Sequence, residues 1–149
     1  MTDLPVPRAS SLPRLIARMV LGLFLLFSGI GHLTFGRAEF SAQIPDWLPL
    51  SDDVVIVASG VAEVALGAAL IALPRYRVAV GWMTAAFFVL IFPGNISQFA
   101  NRADGFGLTT DAARAVRLLF QPLLVLWALW ATGAWRDRAA LRTLGRRRQ

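Results

Sequence analysis

An all-α integral membrane protein, built as a bundle of four transmembrane helices, is the fold class that this 149-residue sequence predicts. Three observations lead there. Hydrophobic residues make up 56% of the chain, where a soluble domain holds roughly 45–50%, and the mean hydropathy is +0.59. The excess is gathered into four blocks, each close to the roughly 20 residues that a helix needs to cross about 30 Å of hydrocarbon. The net charge of +6 comes largely from arginines that flank those blocks.

In chain order, residues 1–13 form a polar N-terminal segment, 14–135 the four-helix domain and 136–149 a basic tail. The first span is expected over 15–35. Arginines precede its apolar run, as in a signal peptide, but no small-x-small cleavage site follows, so an uncleaved helix is expected. The connection 36–53 mixes Phe40, Ile44, Trp47, Leu48 and Leu50 with acids and prolines. It is expected to lie at the membrane interface, where tryptophan is favoured. The second span covers 54–73 and ends in the tight basic turn "PRYR". The third covers 78–99 and contains Pro93, which removes a backbone N–H and is expected to kink the helix. That proline should free a carbonyl near Val89 or Leu90, which then needs a donor. The loop 100–111 ends on Asp111, a fitting N-cap for the fourth span at 113–135.

Charge orients the bundle. With four spans, both termini and the 74–77 turn share one side, and 11 of the 15 arginines fall there: Arg8, Arg14, Arg18, Arg75, Arg77, Arg136, Arg138, Arg142, Arg146, Arg147 and Arg148. The positive-inside rule then places both termini in the cytoplasm. The same geometry explains the basic residues without nucleic acid, which is not expected as a partner. The chain has no cysteine and one histidine, which excludes disulfides, thiolate sites and a thiol nucleophile, and leaves no ligand set for a metal.

The residues that do not belong in hydrocarbon carry the functional expectation. His32, Glu63, Asn95, Gln98, Arg114, Arg117 and Gln121 all fall in the outer half of their spans, whereas the inner halves read as almost wholly apolar. Glu63 is deepest, roughly 15 Å in at 1.5 Å per residue. Gly60, Glu63 and Gly67 recur at i, i+3, i+7, as do Arg114, Arg117 and Gln121, so each set shares one helical face. Buried ionisable groups in membranes face the bundle interior and find partners. The expectation is a polar pocket open to the outside, with Arg117 as the first counter-charge for Glu63 and His32 as the second; a protonated Glu63 is the alternative. Each residue also has a structural role available to it. Glu63 and Arg117 can be halves of an ion pair, Asn95 and Gln98 interhelical hydrogen-bond glue, and Arg114 a snorkelling side chain. The glycines 22, 29, 60 and 67 permit close helix packing, and Trp127, Trp130 and Trp135 read as lipid-facing or interfacial anchors.

Five stretches taken in order resemble the DoxX family of small four-helix membrane proteins: "RMVLGLFLLFSGIGHL", "IPDWLP", "SGVAEVALGAAL", "FPGNISQF" and "RLLFQPLLVLWALW". The resemblance covers roughly residues 14–135. It singles out His32, Glu63, Asn95, Arg117 and Gln121, and it implies an inner-membrane protein associated with quinone-linked or oxidative-stress complexes. The family takes its name from a subunit of a thiosulfate–quinone oxidoreductase; a thiol-based relative is set aside because this chain lacks cysteine. The expected function is an outward-facing intramembrane site for a small amphiphile (a quinone or lipid), or support of a membrane redox or stress complex, without activity on its own. No intrinsic cofactor is expected; a quinone is the ligand to consider. The bilayer, a membrane or periplasmic protein and an oligomer of the chain are the expected partners. A quinone-linked oxidoreductase subunit and a small transporter or channel are the alternatives.

Overall fold

In the computed structural model, residues 9–105 and 107–141 are described. They fold into five α-helices: α1 (Leu12–Leu33), α2 (Arg37–Ser41), α3 (Asp52–Ala72), α4 (Arg77–Ala100) and α5 (Asp111–Thr132). Short 3-10 turns lie at Pro74–Tyr76 and Arg138–Ala140, and no strand is present among the described residues. The four long helices are each apolar and long enough to cross a membrane. The chain therefore has the build of a multi-pass membrane protein. Their bounds differ from the sequence expectation by one to three residues, and each helix begins earlier than expected. The basic tail beyond 141 and the segment before 9 lie outside the described residues.

Each long helix buries one stripe. In α1 it is Arg18, Leu21, Gly22, Leu25, Gly29 and His32; in α3 it is Ile56, Gly60, Glu63, Leu66, Gly67 and Leu70. The spacing of three and four residues is that of a single helical face. The opposite faces carry large apolar side chains in the open: Phe27 is 67% exposed, Leu90 76% and Leu119 69%. Such surfaces suit hydrocarbon, which rewards no polar coat.

The helices pack in the cyclic order α1–α3–α4–α5, with α1 against α3 and α4 against α5 as the most extensive pairs. Glycine sets the closeness of the first pair. A methyl group on Gly67 would stand 2.6 Å from the Gly22 carbonyl oxygen, and one on Gly29 2.7 Å from the Gly60 carbonyl oxygen. The two backbones therefore touch at two levels one heptad apart. Between α4 and α5 the same part is played by Gly81, whose missing methyl would fall on the Thr132 side chain.

The fourth long helix is capped by Thr110, whose hydroxyl oxygen accepts from the Ala113 N–H at 3.2 Å. This corrects the expectation of Asp111 as the cap: Asp111 is already helical, where its carboxylate favours the positive end of the helix. Helix α4 runs through Pro93 as one helix. A second internal proline, Pro122, sits in α5 directly after Gln121.

Candidate functional site

The bundle has a loop end, bearing α2 and the 101–110 loop, and a turn end, bearing the 74–76 turn and residues 133–141. His32, Glu63, Asn95, Gln98, Arg114 and Gln121 are all buried, and Arg117 is half-buried. The six buried residues form three groups in the half toward the loop end.

The first group joins α1 to α3. The His32 Nδ1 lies 3.0 Å from Glu63 Oε2 and 3.1 Å from the Ser28 carbonyl oxygen. The two contacts are not equivalent. Ser28, one turn back on the same helix, is hydrogen-bonded to the ring nitrogen, whereas Glu63 Oε2 is buried and accepts no hydrogen bond. Glu63 is thus held against the imidazole with one side-chain oxygen in no hydrogen bond. Phe40, from α2, stacks on the His32 ring at 21° between planes. Gly60 makes room for this, since a methyl there would stand 2.8 Å from the His32 Cβ. Among the described residues Glu63 pairs with His32 and not with Arg117, the reverse of the expected order. The reason is adjacency: α1 and α3 share the glycine contact, and α3 and α5 stand across the ring from each other.

The second group joins α4 to α5. Asn95 Nδ2 donates to Gln121 Oε1 at 2.8 Å, and Gln121 Nε2 donates to the Phe88 carbonyl oxygen at 2.7 Å. Gln121 thus donates to the carbonyl of Phe88, one residue before the pair, Val89 and Leu90, that Pro93 was expected to free. The amide side chain satisfies main chain and side chain at once, as burial requires.

The third group closes the loop end. Arg114 donates to Asp111 Oδ1 at 2.9 Å, to Asp104 Oδ1 and, through Nε, to the Ala103 carbonyl oxygen at 3.4 Å. Gln98 Nε2 donates to that same carbonyl at 3.4 Å. Arg114 is 6% exposed, so it is a buried clasp of the 101–110 loop and not a snorkelling side chain. The loop after α2 also packs in: the Gln43 carbonyl oxygen would stand 2.8 Å from a methyl on Gly94. These segments lie over the polar groups, which are buried beneath them.

The turn end holds what the sequence reading missed. Arg77 is 4% exposed and donates to the Thr132 carbonyl oxygen at 2.8 Å and to Asp137 Oδ2 at 2.9 Å. Arg136 adds two further bonds to Asp137, each of 3.0 Å. Burial alone would raise the Asp137 carboxyl, but the hydrogen bonds from Arg136 and Arg77 outweigh it and hold the group below the usual aspartate range. Arg18, two turns into α1, is also 4% exposed. The inner half is therefore not wholly apolar. Trp127, expected as a lipid-facing or interfacial anchor, donates its indole N–H to the Ala17 carbonyl oxygen at 3.1 Å and ties α5 to α1. The only signal in the sequence was Asp137, a lone acid between two arginines just past the fourth span.

A family model described as a domain of unknown function (DUF8561) matches residues 21–132. The matched stretch contains all three groups of the loop end, and Arg18 and Asp137 lie outside it. No curated protein and no solved structure matches the chain.

Proposed function

We propose that this chain, which belongs to the DUF8561 family, is a multi-pass protein of a bacterial inner membrane whose His32–Glu63 pair receives the polar head of a small amphiphile. The observation that carries the reading is the buried Glu63 Oε2 without a hydrogen-bond donor. An acceptor left unsatisfied in a membrane interior is costly, and a ligand hydroxyl supplies the missing donor. The imidazole beside it is a second polar contact for the same head group. A quinol, or a lipid with a free hydroxyl, has this chemistry on an apolar tail. The DoxX-like order of motifs supports a quinone-type ligand. The ring of Phe40 over His32 is the element that moves aside for entry. Eleven of the 15 arginines lie on the side of the chain ends and the 74–77 turn, which supports a cytoplasmic turn end and an outward-facing site.

The test is thermal unfolding of the purified protein in lipid nanodiscs with decylubiquinol, its dimethyl ether and monoolein. Ligands that bind only the folded state raise the melting temperature. The quinol or monoolein is expected to raise it for the wild type, the ether, which has no hydroxyl, to leave it unchanged, and Glu63→Gln to abolish the response. Equal responses of wild type and Glu63→Gln to all three would overturn the reading.

A further inference from the structure

We propose a second site, at the turn end, in which Arg18 together with Arg77 binds a phosphate group, supplied by the head of an acidic phospholipid or by free phosphate. Arg18 is 4% exposed, and its Nε and Nη1 are buried with no hydrogen-bond acceptor. Its charged neighbour is Arg77, a like charge. The one described carboxylate at this end, Asp137, already accepts from Arg77 and twice from Arg136. Among the described residues, Arg77 and Arg136 share this carboxylate and Arg18 reaches none. The other described acids lie at the loop end or, like Glu63, in the half of the bundle toward it.

A second donor is in the same condition. The Trp82 indole N–H, five residues along α4 from Arg77, is buried without an acceptor, and its ring packs against Trp135 at 6.1 Å. Among the described residues, Arg18 and Trp82 therefore hold donors without acceptors at this end, and Arg18 is a buried charge with no carboxylate beside it. A water molecule would answer the donors but not the charge, and an uncompensated buried charge is strongly destabilising. An anion with several acceptor oxygens answers both. The guanidinium fork matches phosphate geometry, with two parallel N–H bonds to one group. The surrounding arginines, Arg14 and Arg75 among them, would draw anionic lipid to this end.

The experiment uses the full-length protein in detergent, stripped of lipid and phosphate, and follows thermal unfolding and binding of phosphatidylglycerol, of phosphatidylcholine with the same acyl chains, and of inorganic phosphate. Arg18→Met keeps the length of the side chain and removes its charge. In the stripped state it is expected to melt above the wild type, because the unpaired charge is gone. Phosphatidylglycerol is expected to raise the wild-type melting temperature more than phosphatidylcholine does, and to bind the variant about 30-fold more weakly or worse. An Arg18-dependent gain from inorganic phosphate alone supports the same site with a soluble anion as its occupant. If wild type and Arg18→Met respond alike, or the two lipids act equally, the proposal is overturned. Arg18→Lys, which keeps the charge and loses the fork, is read if the methionine variant does not fold. It is expected to bind phosphatidylglycerol several-fold more weakly, and unchanged binding would also overturn the proposal.

Discussion

Asp137 shows how one carboxylate fixes the end of a bundle. It holds Arg77, which in turn takes the Thr132 carbonyl at the end of α5, so that α4 and α5 are clasped where their chain leaves the helices. The folded carboxyl is held low by Arg136 and Arg77 against the opposing effect of burial. A depressed acid contributes stability that is complete above its unfolded value, about 3.9, and is lost as the pH falls through the folded value. The wild type is therefore expected to keep a constant melting temperature from neutral pH to about pH 5 and to lose stability below pH 4. Asp137→Asn should be less stable at neutral pH and flatten that acid limb; an acid limb identical in the variant would contradict the assignment. At this scale the sequence was partly legible. Glu63 stood out because a carboxylate in an apolar run has no cheap explanation. Arg18 and Arg77 did not, because arginines near span ends are adequately explained by orientation and snorkelling, and nothing in one dimension says that two of them turn inward.

The contact of α1 with α3 is the element on which the His32–Glu63 pair rests. The glycine spacing at i and i+7 in both helices was readable as a packing surface, and the structure pairs Gly22 with Gly67 and Gly29 with Gly60. A methyl on Gly67 meets backbone on the facing helix, the Gly22 carbonyl at 2.6 Å and the Leu26 nitrogen at 2.9 Å, so no side chain can rotate out of its way. Gly67→Ala is expected to destabilise the fold by about 1–3 kcal/mol, the usual cost of overpacking. Gly107→Ala would face no neighbour and pay only for its left-handed backbone, about 1–2 kcal/mol. Denaturant unfolding in detergent micelles measures both. A Gly67→Ala variant as stable as wild type would mean that the helices do not meet at that glycine. Which helix each glycine faces was not legible, since four apolar blocks are compatible with more than one neighbour order. The connection 36–53 holds a contact that was not legible for a related reason. Its mixed composition fits an interface, yet Phe40 leaves it to cover His32.

For the whole molecule, the spans and their number were the most legible feature, because length and hydropathy together allow few other solutions. The exposed apolar faces and buried polar stripes agree with that solution. Both chain ends and the 74–77 turn are expected on the cytoplasmic side, with the 101–110 loop outside. Reporter fusions after residues 76 and 105 should accordingly show opposite sidedness, and the same sidedness for both would rule out four spans. The alignment of the polar groups toward one end was also visible in sequence, but their division into an α1–α3 pair and an α4–α5 pair was not. That division depends on helix order and rotation, which periodicity leaves open. It also narrows the candidate site, because Asn95 and Gln121 satisfy each other and the Phe88 carbonyl, while Glu63 keeps an oxygen without a donor. Native mass spectrometry of the protein extracted from its own membranes, wild type beside Glu63→Gln, tests this most directly. A small amphiphile retained by the wild type and absent from the folded variant is the predicted result. The same molecule retained by both, or none retained by the wild type, would contradict the assignment of Glu63 to a binding site.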